Sequence, residues 1–411
     1  MKILYLHQYF NTPEMPGSTR SYEMARRLAG AGHQVEMVTT SRRPSQRLGR
    51  GWQTTETAGF QVHWLHVPYA NEFSYIKRLG AFLRFAVGAA WKAASLPGEV
   101  LFATSTPLTI ALPAVFAARW KRIPLVFEVR DLWPAVPIAV GALRSPLLIA
   151  AARWLERFAY RHSERIIALS PGMKRGVVQA GFPEERVAVI PNSADLELFN
   201  LPAVQGEKFR SRYAWLRNRP LVVYTGTIGH INGVSYLVKL AKLVSELDPQ
   251  VRFAVIGSGK EEGLVRRKAQ HAGVLGKNFF LLDPVPKKTI PEVLSAADLT
   301  TSLVIDNPAL WDNSANKFFD ALAAGTPIAI NYRGWQADLI REHDCGLVLD
   351  PDPSVRSARR LAAALRDPAW LKRAGQAARN LGEKQFSRDL LAGQLEEVLC
   401  EAAGSARGSC G

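Results

Sequence analysis

Asp312 and Asp320 are separated by seven residues in the run Asp-Asn-Ser-Ala-Asn-Lys-Phe-Phe-Asp, which leads straight into Ala-Leu-Ala-Ala-Gly-Thr-Pro. This composition marks a loop entering a helix: Asn313 or Ser314 can cap it, and Gly325 with Pro327 can end it. A helix starting near Ala315 puts Asn316 and Lys317 in its first turn. There they lie beside unpaired backbone N–H groups and the positive end of the helix dipole, a setting that suits an anion. Asp320 sits one turn further in, close to Lys317 and Asn316. A phosphate with hydroxyl-bearing groups on either side fits the pattern, with Lys317 and the helix end on the phosphate and one Asp for each set of hydroxyls. A capped helix with a surface Lys–Asp pair is the plainer alternative.

Charged residues also end a strong apolar run, in Glu128-Val-Arg-Asp-Leu-Trp-Pro134. Charges are costly to bury without purpose, and in an open α/β sheet the ends of strands are where ligands bind. Glu128, Arg130 and Asp131 are therefore read as functional ahead of a structural ion pair. His7 ends the first strand and points toward the same crevice, where a lone histidine is more often a structural hydrogen-bonder than a catalyst. Pro16-Gly17-Ser18-Thr19-Arg20 opens the helix that follows, where small residues let an anion approach and Arg20 can clamp it; a plain turn is the alternative. Val255-Ile-Gly-Ser-Gly-Lys-Glu-Glu-Gly263 imitates a dinucleotide fingerprint, but its third glycine is late and the distal acid is missing. It reads as a tight turn beside a crevice. Asp350-Pro-Asp352 imitates a metal motif and reads as a surface turn.

These residues need a scaffold, and the patterning supplies two. Strands at 2–6, 34–39, 61–67, 99–103, 124–129, 165–169 and 187–190 alternate with helical segments that include 18–31 and 145–162. After a weakly patterned stretch, strands at 221–225, 251–257, 279–282 and 327–332 alternate with helices at 234–247, 261–272 and 290–297. Alternation of this kind means parallel, doubly wound sheets. The expectation is an α/β protein of two Rossmann-like domains facing a cleft, residues 1–200 and 201–385, then a helix at 386–402 that packs back on the first domain and a disordered tail at 403–411.

The 411 residues carry 52 basic and 36 acidic side chains, a net charge of +16, which favours anionic partners. Two segments, Tyr75–Lys92 and residues 144–161, read as helices with a basic side and a Phe/Trp/Leu-rich side, suited to an anionic membrane surface or to ordinary core packing. No recognisable nucleic-acid module is present. Cys345, Cys400 and Cys410 show neither metal spacing nor a disulfide framework, which suits a reducing compartment. The N-terminus lacks the apolar run of a signal peptide. Uncharged Val100–Ala118 is broken by Thr104-Ser105-Thr106-Pro107 into strand, turn and helix.

Taken in order, these segments resemble the retaining glycosyltransferases of family 4, over roughly residues 2–400. The likeness is strongest to bacterial enzymes of O-antigen, capsule and exopolysaccharide assembly, such as N-acetylfucosamine transferases. It is carried by Leu4-Tyr-Leu-His-Gln-Tyr-Phe, Gly32-His-Gln-Val-Glu-Met-Val-Thr, Val129-Arg-Asp-Leu-Trp-Pro, Ala168-Leu-Ser-Pro-Gly-Met, Val189-Ile-Pro-Asn-Ser-Ala-Asp, Val255-Ile-Gly-Ser-Gly and the Asp312–Asp320 run.

The resemblance implies the GT-B architecture, with a nucleoside-diphosphate sugar, UDP-sugar favoured, held mainly by the C-terminal domain. It implies transfer with retention to a lipid-diphosphate-linked saccharide at the inner face of the cytoplasmic membrane, without metal or cofactor. Asp312 and Asp320 match the family's spaced acids, with Asp replacing the usual Glu. Asp312 would face the sugar, Asp320 the ribose and Lys317 the diphosphate. Gly17, Arg20, Gly229, Gly257 and Asn316 join the donor site, His7 and Arg130 lie on the acceptor side, and Asp131 stands near the reacting centre. Where many members carry a basic pair around the glycines after the first C-domain strand, this chain has Thr227 and Asn232. That shifts the diphosphate load to Lys317, the helix end, and Arg20 or His230. A sugar-nucleotide 2-epimerase and a non-catalytic sugar-nucleotide-binding partner of a membrane assembly are the alternative functions.

Overall fold

Runs of Val, Ile, Leu and Phe without polar interruption suit strands covered on both faces, and they form the centres of two separate sheets. The structure, a computed structural model, describes residues 1–15, 17–41, 51–67, 75–105, 107–202 and 204–408, with the backbone alone at 75–79 and 405–408. Pro16, Thr106 and Cys410, which figure in the sequence reading, lie outside the described residues. One unit comprises Met1–Pro13, Gly17–Pro191 and the chain from Asp389; the second is Asn192–Arg388 with Glu14 and Met15. The change of unit thus comes ahead of the expected boundary at residue 200.

Unit 1 is built on strands β1 (Lys2–Leu6), β2 (Gln34–Ser41), β3 (Trp52–Thr57), β4 (Phe60–His66), β5 (Val100–Thr104), β6 (Leu125–Val129), β7 (Arg165–Ala168) and β8 (Val187–Val189). They lie in the order β3-β4-β2-β1-β5-β6-β7-β8. All pairings are parallel except β3 with β4, a hairpin whose polar, largely exposed outer strand blunts that edge of the sheet. The order reverses between β1 and β5, so their carboxyl ends form the crevice at which such sheets bind ligands. One face is covered by helices Tyr75–Ser95, Ala111–Lys121 and Pro146–Arg161, packed side by side. In the first of these, Ala81, Phe85, Ala89 and Ala93 form a buried stripe at helical spacing. Leu83, Val87 and Trp91 remain exposed beside Arg84.

Unit 2 carries β9 (Leu221–Thr225), β10 (Arg252–Ile256), β11 (Phe279–Leu282), β12 (Leu299–Ser302), β13 (Ile328–Ile330) and β14 (Gly346–Val348). The order is β11-β10-β9-β12-β13-β14 and every pairing is parallel. Its reversal falls between β9 and β12. The loop after β9 and the segment after β12, which ends in the helix Asn316–Ala324, therefore share the crevice.

Three strands escape the sequence reading. β3 is a polar edge, β12 is Leu-Thr-Thr-Ser, and β14 is three residues long. In β12 the Thr301 hydroxyl donates to the Val223 carbonyl at 3.1 Å, so a polar side chain is satisfied inside the sheet. The last helix is also longer than expected, running from Arg388 to Gly408. Residues 403–408 are helical, and 409–411 lie outside the described residues.

Candidate active site

The helix Asn316–Ala324 begins where the sequence places it, but neither Asn313 nor Ser314 caps it. Ala315 holds the cap position without a side-chain bond. Asn313 instead folds the preceding loop, accepting from the Ala315 N–H at 3.1 Å and donating to the Leu310 carbonyl at 2.7 Å. Trp335 donates its indole N–H to the Asn313 carbonyl at 2.8 Å, and the Asn192 amide donates to the Ser314 carbonyl at 2.5 Å. The partly exposed Asp312 thus rides on a pinned loop. Gly325 closes the helix in left-handed backbone, φ 62°, as its composition predicts.

Lys317 is partly buried in the first turn, with Nζ 5.1 Å from the centre of the Tyr224 ring. Its chain lies across Gly226 so closely that a Cβ there would stand 2.8 Å from Lys317 Cε. Gly226 has φ 130°, a conformation L side chains rarely adopt. Among the described residues Lys317 forms no ion pair, and burial pushes its ammonium down to about 8, with nearby Asp320 opposing the shift. A cation so placed, beside the exposed Asn316 and the first-turn amides, is desolvated and available to an anion.

Asp320 departs from expectation in its partner. Its two oxygens accept from Lys287 Nζ at 2.7 and 2.6 Å, and this residue, in the turn Lys287–Thr289 after β11, went unrecognised. The Lys287-Lys288 pair at the carboxyl end of a strand was the available signal. Gly226 and Tyr224 were likewise missed as the bed on which Lys317 lies.

The glycines divide unevenly. A Cβ at Gly257 would lie 1.9 Å from the Gly226 carbonyl and one at Gly259 2.4 Å from that of Ile228, so the turns after β9 and β10 are packed backbone to backbone. Gly229 has ordinary clearance, 3.5 Å to Thr227, and φ −125°, so its backbone does not require glycine. His230 is exposed, with Nδ1 3.1 Å from Glu261.

In unit 1, Arg20 is not presented to an anion. It is buried, donates from Nε and Nη2 to Glu128 at 2.9 and 2.8 Å, and donates to the carbonyls of Pro191 and Ile190 at 2.5 and 2.9 Å. Glu128 also accepts from Thr104 at 2.6 Å. Burial alone would raise its carboxyl, but Arg20 and Arg130, with the bonds from Arg20 and Thr104, hold it below its ordinary value. Glu128 and Arg20 are therefore a structural ion pair. This corrects the reading of Arg20 as an anion clamp and of Glu128 as a functional acid, because their hydrogen-bonding capacity is taken up internally.

His7 is buried at the end of β1, where its N–H donates to the Val38 carbonyl at 3.1 Å. Gly17 is exposed, φ 127°, with Asn11 crowded against it. Arg130 is tied by its N–H to Ser105 at 3.0 Å. Asp131 remains accessible, yet desolvation by the surrounding protein pushes its carboxyl up to about 6, with Arg130 acting the other way. His7, Arg130 and Asp131 thus share the carboxyl edge of the unit 1 sheet, and Gly229, Gly257, Asn316, Lys317 and Asp320 that of unit 2.

Residues 17–193 match the family model described as "Glycosyl transferase 4-like domain", and residues 205–381 match "Glycosyl transferases group 1". The chain is a glycosyltransferase with a 4-like N-terminal domain and a group 1 C-terminal domain. WcaI of Escherichia coli K12, assigned as a glycosyl transferase of colanic acid biosynthesis, is 23% identical over 411 residues, spanning 95% of this chain and 97% of its own. The fold is GT-B. The structure of HepE from Anabaena in complex with UDP-glucose superposes with a TM-score of 0.74 at 17% identity, covering 98% of this chain and all of that one. WaaG, a glycosyltransferase of lipopolysaccharide biosynthesis, gives 0.70 at 16% identity, covering 97% and 99%. Among the described residues no helix of this glycosyltransferase is long and apolar enough to cross a membrane.

Proposed function

We propose that this glycosyltransferase moves a sugar, of N-acetylated amino or deoxyamino type, from a UDP-sugar to a lipid-diphosphate-linked saccharide, with retention, in bacterial surface polysaccharide biosynthesis. The observation that carries the donor assignment is Lys317, a desolvated cation without an ion-pair partner among the described residues, lying across Gly226 at a helix start in the unit 2 crevice. That is a binding place for a diphosphate. WcaI and WaaG, as named, act in polysaccharide and lipopolysaccharide assembly, and HepE is described with UDP-glucose, which supports the substrate classes.

In the proposed reaction the acceptor oxygen bonds to the anomeric carbon as the bond from that carbon to the diphosphate oxygen breaks. The acceptor proton passes to the departing diphosphate, on the same face. Lys317 and the amides of Asn316 and Lys317 stabilise the charge that develops there, a task that calls for no metal. Asp312 holds the sugar, Asp320 the ribose, and Asp131 orients the acceptor hydroxyl, with His7 and Arg130 on the acceptor side and Gly17 in the donor loop. The enzyme works on the inner face of the cytoplasmic membrane.

The test is a panel of UDP-, GDP- and dTDP-sugars read by thermal shift, then by transfer to a lipid-linked acceptor with and without chelator. UDP-sugars raise Tm most, chelator leaves turnover unchanged, and Lys317→Ala lowers kcat by about a hundredfold, the scale of losing one charge-stabilising donor. Equal stabilisation by all three nucleotides would remove the UDP assignment, and unchanged turnover in the variant would remove the role of Lys317. Turnover of the donor to an epimer without acceptor would replace the reading with epimerase.

A further inference from the structure

Unit 1 contains a second concavity, of about 760 Å³, at the edge of the sheet opposite His7 and Asp131. It is lined by the residues that lead into β6 and β7, by the C-terminal turns of helices Ala111–Lys121 and Pro146–Arg161, and by the loop before β8. Five arginines, Arg119, Arg122, Arg157, Arg161 and Arg186, face a single carboxylate, Glu164. Arg186 is engaged, donating to the carbonyls of Glu164 and Ser163 at 2.7 and 3.1 Å and pairing with the Glu164 carboxylate at 3.2 Å. The guanidinium groups of the other four form no hydrogen bond or ion pair of contact distance among the described residues, although Arg157 is close enough to Glu156 to draw that carboxyl down. Arg122 does so from left-handed backbone, φ 57°, a position that glycine commonly fills at the end of a helix. Four guanidinium groups gathered around one cavity give it a strongly positive lining that attracts an anion, and the guanidinium fork matches phosphate oxygens in pairs.

The neighbourhood decides the kind of phosphate. Trp120 adjoins Arg119 in sequence and is 64% exposed; Trp154, one turn before Arg157, is 60% exposed. Trp120 stacks on exposed Phe116, and Trp91 packs edge-on against both, with centroids 5.5 to 6.1 Å apart. Leu147 on the same helix layer is 82% exposed. A soluble anion gains nothing from such a surface, whereas indole rings beside arginines suit the boundary between headgroups and acyl chains. We propose that the cavity formed by Arg119, Arg122, Arg157 and Arg161 is a binding site for the phosphate of a lipid headgroup, with Trp91, Trp120 and Trp154 seated in the bilayer beside it. The proposal rests on the membrane-bound reading above and specifies which surface binds and what it recognises.

The experiment is co-sedimentation of the full chain with vesicles of phosphatidylcholine alone, or with phosphatidylglycerol or phosphatidic acid added, in parallel with titration of pyrophosphate in solution. Transfer to a detergent-solubilised acceptor serves as an independent readout of the catalytic assignment. Wild type binds phosphatidic acid vesicles most tightly, because a phosphomonoester offers more charge and more free oxygens to the arginines. Arg119→Gln with Arg157→Gln, both exposed and so tolerated by the fold, lowers that affinity at least tenfold and leaves detergent-phase transfer unchanged. Trp120→Ala with Trp154→Ala weakens binding to all vesicles alike. The proposal falls if the double Gln variant binds as wild type does. It falls also if pyrophosphate binds the cavity with vesicle affinity unaffected by either double variant, which would make the ligand a free phosphate. Loss of detergent-phase transfer in wild type would count against the catalytic reading alone.

Discussion

The Lys287 ammonium chelates the Asp320 carboxylate, with contacts of 2.6 and 2.7 Å to its two oxygens. The acid is 8% exposed, so its charge needs a partner within the protein. Both oxygens keep lone pairs, which in the proposed function accept the ribose hydroxyls, and the lysine fixes their direction. Lys287→Met is therefore expected to raise the donor KM about tenfold with a smaller change in kcat. It should also lower the stability of the free protein by about 1–3 kcal/mol, the cost of a buried acid left unpaired. Adding Asp320→Asn recovers stability but not donor affinity, a pattern that thermal melts and initial rates together would show.

The pH profile of kcat/KM follows from two shifted groups. Lys317, pushed down to about 8 by burial, loses its charge above that pH, and Asp131, pushed up to about 6 by desolvation, gains a proton below it. Turnover is expected to peak between pH 6 and 8. In Lys317→Met the alkaline limb disappears from what activity remains. Stability has its own sign. The folded value for Lys317 lies below its ordinary value of 10.5, so the protonated side chain is penalised in the fold at every pH below about 8. That penalty fades as pH rises from 8 to 10.5. Lys317→Met is accordingly more stable than wild type at pH 7, by about 1–2 kcal/mol after allowance for its partial exposure. The advantage shrinks through the alkaline range; an advantage that grew with pH would contradict the assignment.

Gly226 and Gly229 make a matched pair for substitution. Alanine at 226 meets Lys317 Cε at 2.8 Å in a backbone of φ 130°, whereas alanine at 229 finds 3.5 Å clearance. Gly226→Ala is expected to displace the lysine and lower kcat at least tenfold, by the same loss of charge stabilisation that Lys317→Ala produces. Gly229→Ala should keep near-wild-type rates. Equal effects in steady-state assays would show that the lysine does not depend on that bed.

Arg20 and Glu128 are predicted to matter for stability rather than for donor affinity. Their side chains are 3% and 1% exposed, and removing one member leaves the other charged in the core. Arg20→Met should cost about 3–5 kcal/mol in denaturant unfolding, with donor KM unchanged in the folded fraction. A selective rise in KM would restore the anion-clamp reading. Because Glu128 is more acidic in the fold than its ordinary value, the stability it contributes is fully present above that ordinary value and is lost as pH falls from there through the lower folded-state value.

The legible and the hidden parts of this protein differ in physical kind. The strands Lys2–Leu6, Leu221–Thr225 and Phe279–Leu282 are apolar except for Lys2 and Thr225 at their ends, and they coincide with the sequence reading to the residue. Lys317 was legible because a helix start leaves amides unpaired whatever the tertiary setting. Partners were not legible. Arg20 meets Glu128 across 108 residues, and Lys287 meets Asp320 across 33, so no local pattern encodes either pair. β12 was hidden because Thr and Ser imitate a loop until a neighbouring strand satisfies their hydroxyls.

Unit 1 is interrupted in sequence, since the chain completes the whole of unit 2 before the helix Arg388–Gly408 contributes Asp389 and later residues to unit 1. Asp389 pairs with Arg27 at 2.6 Å, Glu396 with His33 at 2.7 Å and Glu401 with Arg165 at 3.2 Å. On a ribosome the first unit must wait for this brace while nearly two hundred intervening residues are made, a delay of about 10–40 s. Unit 2, drawn from Asn192–Arg388 apart from a short piece at Glu14 and Met15, is ready to close almost as soon as it emerges. During synthesis the second-made half is thus the first to be finished, and the earlier half spends that interval with the ends of its sheet unbraced and open to chaperones.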